Sequence, residues 1–360
     1  MAGKARARAT ADRLFAAFVA AGALSVEADI LQPAEVLLDL YGEDIRARAY
    51  VTADPLRGEM MLRPDFTVPV VQMHMAHGAE PARYAYQGEV FRKQEHLSER
   101  KSEFFQVGFE LFARENPSDA DAEVFALFAD LLSPLSLRAA TGDIGLLLAA
   151  VRGLKTLDSR KAALLRHIWR PRRFTQLLER FGGRSPVPAS RQALLAAQGN
   201  GPAPAPLVGL RSEAEIAARL AALAEDAAAP PISVEEVAFL EDLLNLSAPS
   251  VRALAHLRDL AGAMPHLAPA VDRMEARLDA LAVRGVAVES LAFEASHGRT
   301  TLEYYDGFVF SFHAADPALP PVASGGRYDA LTAVLGAGRS IPAVGGVIRP
   351  GLVADLEDAA

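Results

Sequence analysis

No cysteine occurs anywhere in the 360-residue chain. That absence excludes disulfides, thiolate zinc sites and thiol nucleophiles together, and it is compatible with a reducing cytoplasm. Long apolar runs are missing too: none approaches the ~20 residues of a membrane-spanning helix. Nor is there an excess of positive charge. The formal net charge of -8 argues against a surface built to coat nucleic acid, although a local basic loop remains compatible with it. What the chain does have is apolar material. At 51% hydrophobic and 23% charged residues it is ample for a sizeable core, in one large domain or two smaller ones.

The first residues, MAGKARARATADRLFAAFVAAGAL, are basic and then apolar, as in a secretory leader. Asp12 and Arg13 interrupt that pattern. Leu14, Phe15, Phe18 and Val19 fall on one side of a helix, which favours a surface helix starting at Thr10. A strand is expected over Ser25–Leu31, stopped by Pro33, then a short helical piece over Glu35–Leu40. A hairpin is expected from Ala47–Thr52 and Met60–Leu62 around Asp54-Pro55 and Gly58. Thr67 is a candidate N-cap for a helix running to His77. A further helix spans Asp119–Leu132, with Asn116, Ser118 or Asp119 as cap. Ser136–Ala140 then reads as a strand and Ile144–Arg152 as a helix. From 155 to 284, Ala, Leu and Arg dominate with helical spacing, and strands resume only at Leu291–Ala295. That order favours a helical insertion in a core formed by 1–154 and 285–360 over a second domain on a linker. Trp169, among Arg166, His167, Arg170, Arg172 and Arg173, could mark RNA contact, but a solvated helix face is the better reading.

The stretch from Arg83 to Ala113 carries the chemistry. Tyr84, Tyr86, Val90 and Phe91 make one strand; Phe104, Phe105, Val107, Phe109, Leu111 and Phe112 make a second. The loop between them has no glycine and is dense in charge, which suits either a solvated hairpin tip or a loop that receives a charged ligand. Arg92 sits at a strand end, where its planar fork can hold phosphate or carboxylate. Gln106, Gly108 and Glu110 share one face of the return strand.

FRxQ, a loop with a second arginine, Arg100, and then FxQxGxE resemble motif 2 of the class II aminoacyl-tRNA synthetases, in the form used by histidyl-tRNA synthetase. Leu62-Arg63-Pro64-Asp65-Phe66-Thr67 is similar to that family's RP(D/E)xT signature. The run from His297 to Phe310 is similar to its histidine-specific YYTGxVF motif, and Gly325-Gly326-Arg327-Tyr328-Asp329 to its GGRYD. The resemblance implies an α+β fold, an antiparallel sheet flanked by helices, with a symmetric homodimer contact in the N-terminal quarter. It implies a histidine pocket in which Asp65 and Thr67 hold the α-ammonium and Gln106 bridges ammonium and carboxylate. Glu110 and Tyr305 would read the two imidazole nitrogens, with Tyr304 and Tyr328 close by.

The departures from the family pattern bear on activity. Gln94 stands where motif 2 has an acid, and Thr300 where the histidine-specific motif opens with arginine. Leu352 stands where motif 3 has the arginine that clamps ATP. Arg299 is one residue out of register, which on a strand points to the opposite face. Losing two arginines that face a triphosphate removes transition-state stabilisation worth several kcal/mol. The chain also ends at Ala360, without the roughly hundred residues of an anticodon-binding domain. A pocket that keeps histidine but drops ATP activation and tRNA is similar to the regulatory subunits of ATP phosphoribosyltransferase. That resemblance implies no catalytic residues, no cofactor, no metal, no nucleic acid and no membrane. It implies a short-form catalytic subunit as partner, L-histidine as effector, and a homodimer within a cytoplasmic hetero-oligomer. Arg92 and Arg100 would contact phosphate or the partner. The alternative is a divergent histidyl-tRNA synthetase or another histidine-adenylating ligase.

Overall fold

A computed structural model of the protein describes residues 3–35, 49–94, 101–197, 211–299 and 304–359. Helix α1 (Lys4–Ala20) begins at Lys4 rather than Thr10, because the basic lead-in has acidic partners. Arg6 and Arg13 pair with Asp358 and Glu357 of the final helix, and Lys4 with Glu103 at 2.6 Å. The strand expected over Ser25–Leu31 reduces to its two ends, β1 (Leu24–Ser25) and β2 (Leu31–Pro33). β2 lies at the edge of a small sheet with β3 (Val51–Asp54) and β4 (Gly58–Leu62). Pro33 is tolerated there because an edge strand offers one side to solvent. Gly58 turns the hairpin at φ +82°, and the Asp54 carboxylate accepts the N–H groups of Leu56 and Arg57. Most of the expected helical piece Glu35–Leu40 lies outside the described residues, as do Ala47 and Arg48 at the start of the hairpin.

Helix α2 (Thr67–His77) leads into the two long strands, β5 (Ala82–Phe91) and β6 (Glu103–Phe112). They pair antiparallel over their full length, with Tyr84 opposite Glu110, Tyr86 opposite Gly108 and Gly88 opposite Gln106. Helix α3 (Pro117–Leu132) follows, capped by Asn116, whose side-chain oxygen accepts the Asp119 N–H. Next come β7 (Arg138–Asp143), set later than the expected Ser136–Ala140, and α4 (Ile144–Gly153). The stretch from 155 to 284 carries α5 (Asp158–Arg166), α6 (Pro171–Phe181), α7 (Ala189–Ala196), α8 (Glu213–Ala228) and α9 (Val234–Asn245). Strand β8 (Ser247–Pro249), α10 (Ser250–Ala263) and α11 (Ala268–Val283) complete it. Then follow β9 (Ala292–Glu294), β10 (Phe308–His313), β11 (Ala323–Arg327), α12 (Asp329–Leu335), β12 (Ala343–Ile348) and α13 (Pro350–Ala359), with Pro350 at its first position.

Nine strands form one sheet in the order β1-β5-β6-β12-β11-β10-β7-β9-β8. Its centre is antiparallel, while β1–β5 and β7–β9 pair in parallel. Side-chain alternation divides the sheet into two faces. On one, Phe18 of α1 packs 5.4 Å from Phe109 and 5.3 Å from Phe128, and Phe125 lies 5.3 Å from Phe312. Charges are also buried on that side. Arg277 of α11 reaches Asp121 at 3.3 Å and Asp143 at 2.7 Å, and Arg327 of β11 reaches Asp121 at 2.7 Å. The other face of β6 holds Gln106, Gly108, Glu110 and Phe112, and there two polar side chains are buried. No helix among the described residues is long and apolar enough to cross a membrane.

Candidate functional site

The site centres on Glu110, which is 1% exposed. Three hydroxyls donate to its carboxylate: Thr67 at 2.9 Å and Tyr86 at 2.7 Å to Oε1, and Tyr328 to Oε2. Burial drives the Glu110 carboxyl up to about 7, against the pull of those hydroxyl donors, which favour the ionised form. The same burial, with the negative charge of Glu110 close by, raises the phenols of Tyr86, Tyr328 and Tyr305. Glycine makes the arrangement possible at two points. A Cβ on Gly345 would lie 1.6 Å from Oε2 of Glu110, and a Cβ on Gly108 would lie 2.2 Å from the Tyr86 ring.

Thr67 is thus more than a helix start. The residue preceding α2 is Phe66, and the Thr67 hydroxyl is spent on Glu110 rather than on a cap. Asp65 is buried beside it; Asp65 Oδ1 accepts the Val68 N–H at 3.4 Å, and its charge raises both Glu110 and Tyr305. Tyr304 and Tyr305 form an edge-to-face pair at 4.8 Å, and Tyr304 meets Tyr328 at 5.9 Å. Asp65, Thr67, Glu110, Tyr304, Tyr305 and Tyr328 therefore gather at one place. Gln106 lies on the same face of β6, one turn of alternation beyond Gly108. It is 0% exposed, and neither Nε2 nor Oε1 has a partner among the described residues. A buried amide without partners costs free energy that a polar ligand would recover.

Sequence reasoning passed over Tyr86 as mere strand material. The signal was its position opposite Gly108, the bare backbone between the two polar residues. Its ring lies on that gap and stacks on Phe66 at 4.5 Å, and the Arg63 guanidinium covers the other side of Phe66 at 4.0 Å. Arg63 itself is committed to main-chain carbonyls of Ala28 and Glu89.

The cationic end of the site is sparse. Arg92 donates to the Pro64 carbonyl at 2.9 Å and lies 5.7 Å from the centre of the Phe104 ring; its charge reaches Tyr305. Arg349, just before α13, lies 5.8 Å from the same ring and donates to the Pro321 carbonyl. This second cation was not among the expected site residues. Leu352 packs against the core and Gln94 is exposed. Arg299 is engaged elsewhere: its Nε–H donates to the Ile168 carbonyl at 2.7 Å, and its guanidinium faces Phe174. Arg100 and Thr300 lie outside the described residues. Among the described residues no cluster of acidic or histidine side chains is placed to hold a metal ion.

A sequence profile described as histidyl-tRNA synthetase matches residues 2–350. The ATP phosphoribosyltransferase regulatory subunit of Brucella anthropi is 32% identical, covering 89% of this chain and 89% of its own. That of Allorhizobium ampelinum is 34% identical over 91% of this chain and 92% of its own. Among solved structures, one from Bacillus halodurans, described as an ATP phosphoribosyltransferase regulatory subunit/histidyl-tRNA synthetase, superposes with a TM-score of 0.67 at 22% identity. It covers 98% of this chain and 79% of that one. A histidine–tRNA ligase subunit from Alicyclobacillus acidocaldarius superposes with a TM-score of 0.60 at 23% identity, covering 100% and 96%. At those identities the structural likeness is one of fold; the sequence matches go further, and by them the chain belongs to the ATP phosphoribosyltransferase regulatory-subunit family, built on the histidyl-tRNA synthetase fold.

Proposed function

We propose that this chain is the histidine-sensing, non-catalytic subunit of a cytoplasmic ATP phosphoribosyltransferase, the enzyme that joins ATP to phosphoribosyl pyrophosphate at the head of histidine biosynthesis. Its partner is a short-form catalytic subunit, and it acts as a homodimer within the larger assembly. Residues 155–284 are a helical insertion in the synthetase-like core. The observation that carries the reading is the Gln106 amide, without a partner among the described residues, on the same face as the triply hydrogen-bonded Glu110. One end offers a donor and an acceptor, as an α-amino acid's charged groups require. The other offers a carboxylate ringed by hydroxyls for a polar side chain. Recognition of this kind discriminates well, because an analogue lacking a nitrogen leaves buried groups unpaired.

In this reading Asp65 neutralises the ammonium, and Gln106 bridges ammonium and carboxylate. Glu110 and Tyr305 face the imidazole nitrogens, with Tyr304 and Tyr328 closing the sides. Thr67, given an ammonium contact on sequence grounds, also serves Glu110 directly. Feedback requires histidine to favour one state of the assembly over another, with couplings typically of ~1–3 kcal/mol. Calorimetry tests the site: Glu110→Ala and Tyr305→Phe are each expected to weaken histidine binding with the fold retained. Unchanged affinity in both would overturn the assignment of the imidazole end.

One observation favours a second reading. Arg92 and Arg349 converge on Phe104 and could face an anionic group, as a histidine-adenylating enzyme would need. Histidine-dependent exchange of pyrophosphate into ATP decides between them. The regulatory reading expects no exchange above background, and a robust rate establishes the enzyme.

A further inference from the structure

Trp169 is the single tryptophan of the chain and lies in the turn between α5 and α6. Its basic neighbours Arg166, Arg172 and Arg173 are exposed, as on a solvated face, but the indole is directed inward. Its Nε1–H donates to the main-chain carbonyl of Tyr305 at 3.2 Å. A second bond runs the opposite way, from the Arg299 Nε–H to the carbonyl of Ile168 at 2.7 Å. Two adjacent residues of the insertion, Ile168 and Trp169, thus grip Arg299, which precedes the tyrosine pair in sequence, and Tyr305, its second member. Arg299 is committed to that grip. It is 4% exposed, and its guanidinium lies 5.0 Å from the centre of the Phe174 ring on α6. Burial lowers its pKa to about 10, which leaves it a cation at neutral pH.

On its far side Tyr305 runs straight into the core. The Asp306 N–H donates to the Arg327 carbonyl at 3.0 Å, and the Ile144 N–H donates to the Gly307 carbonyl at 2.9 Å. The Asp306 bond already holds the N–H half of the 305–306 peptide, so Trp169 supplies the fixing bond for its carbonyl half. A peptide held through both groups cannot rotate, and its plane sets the direction in which the Tyr305 ring leaves the chain. It joins the insertion directly to a residue assigned to reading the ligand.

We infer that Trp169 is a positioning residue for Tyr305, and that this bond links occupancy of the pocket to the helical insertion. The inference rests on the reading of the pocket as a histidine site. Linkage makes the effect reciprocal: if the indole bond orients Tyr305 for the ligand, bound ligand must in turn strengthen the indole bond.

The test is a histidine titration of the full chain and of Trp169→Phe by calorimetry, with indole emission of the wild type followed through the same titration. The substitution keeps an aromatic ring in the turn and removes the N–H donor. The expected outcome is a Kd raised about fivefold with unchanged stoichiometry, the scale of one ordinary hydrogen bond. Wild-type emission should shift and saturate along the calorimetric isotherm, a signature that a purely structural tryptophan would not give. If the wild type takes up no histidine, the pocket reading fails and takes this inference with it. If the wild type binds but the variant's Kd stays within about twofold, or emission stays flat to saturation, the pocket stands and the link through Trp169 is overturned.

Discussion

Tyr86 lies on the bare backbone of Gly108 and places its hydroxyl 2.7 Å from Oε1 of Glu110. Tyr86→Phe leaves a buried carboxylate short of one donor, which costs about 1–3 kcal/mol when the acid is ionised. The lost donor favoured the charged form, so the Glu110 carboxyl rises further. Urea unfolding is therefore expected to show a larger cost at pH 8 than at pH 5. An equal cost at both would mean that the Tyr86 hydroxyl does not act through the charge of Glu110.

Glu110→Gln should change how stability depends on pH. The folded carboxyl titrates at about 7, above its ordinary value of 4.5, so the folded state holds this proton more tightly than the unfolded one. Its stabilising contribution is fully present below about 4.5 and is lost as pH rises through about 7. Relative to Glu110→Gln, the wild type is expected to lose on the order of 3 kcal/mol between pH 4 and pH 8. Asp306, pushed up to about 7 by burial and by Asp329, and His297, pushed down to about 4 by burial, titrate in both proteins and cancel from the difference. Parallel stability curves would contradict the burial of this charge.

Arg277→Met removes the cation between two buried carboxylates. Asp121 keeps Arg327, but Asp143 loses its cation and keeps the Gly145 N–H at 2.8 Å. Breaking a buried pair on one side typically costs about 3–5 kcal/mol. Chemical denaturation should show a loss of that size, and adding Asp143→Asn should recover part of it.

Gly345→Ala should disturb the pocket, because its Cβ would fall 1.6 Å from Oε2 of Glu110 and 2.7 Å from the Phe109 carbonyl. Glu110 must then leave its hydroxyl ring, and histidine affinity is expected to fall at least about tenfold by calorimetry. Gly351→Ala is the contrast. Its Cβ would meet the Ala7 Cβ of α1 at 3.8 Å, an ordinary contact, so helix propensity within α13 is expected to stabilise it by about 0.5–1 kcal/mol.

Much of this arrangement was legible in the sequence because it rests on strand alternation. Gln106, Gly108 and Glu110 had to share a face of β6, and Tyr84 to Phe91 had to return beside them. What was not legible depends on partners far along the chain. The early start of α1 follows from Asp358 in α13 and Glu103 in β6, the partners of Arg6 and Lys4, and Tyr86 joins the site only through register with Gly108. Trp169 faces inward because the Tyr305 carbonyl waits there, 136 residues later. Nothing in a basic cluster announces that.

The most direct measurement of the central claim is phosphoribosyl transfer to ATP by a short-form catalytic subunit, alone and mixed with this chain, across a range of histidine concentrations. The chain is expected to raise the catalytic rate, and histidine to lower it only when the chain is present. A rate indifferent to the chain, or the same histidine dependence without it, would overturn the regulatory role.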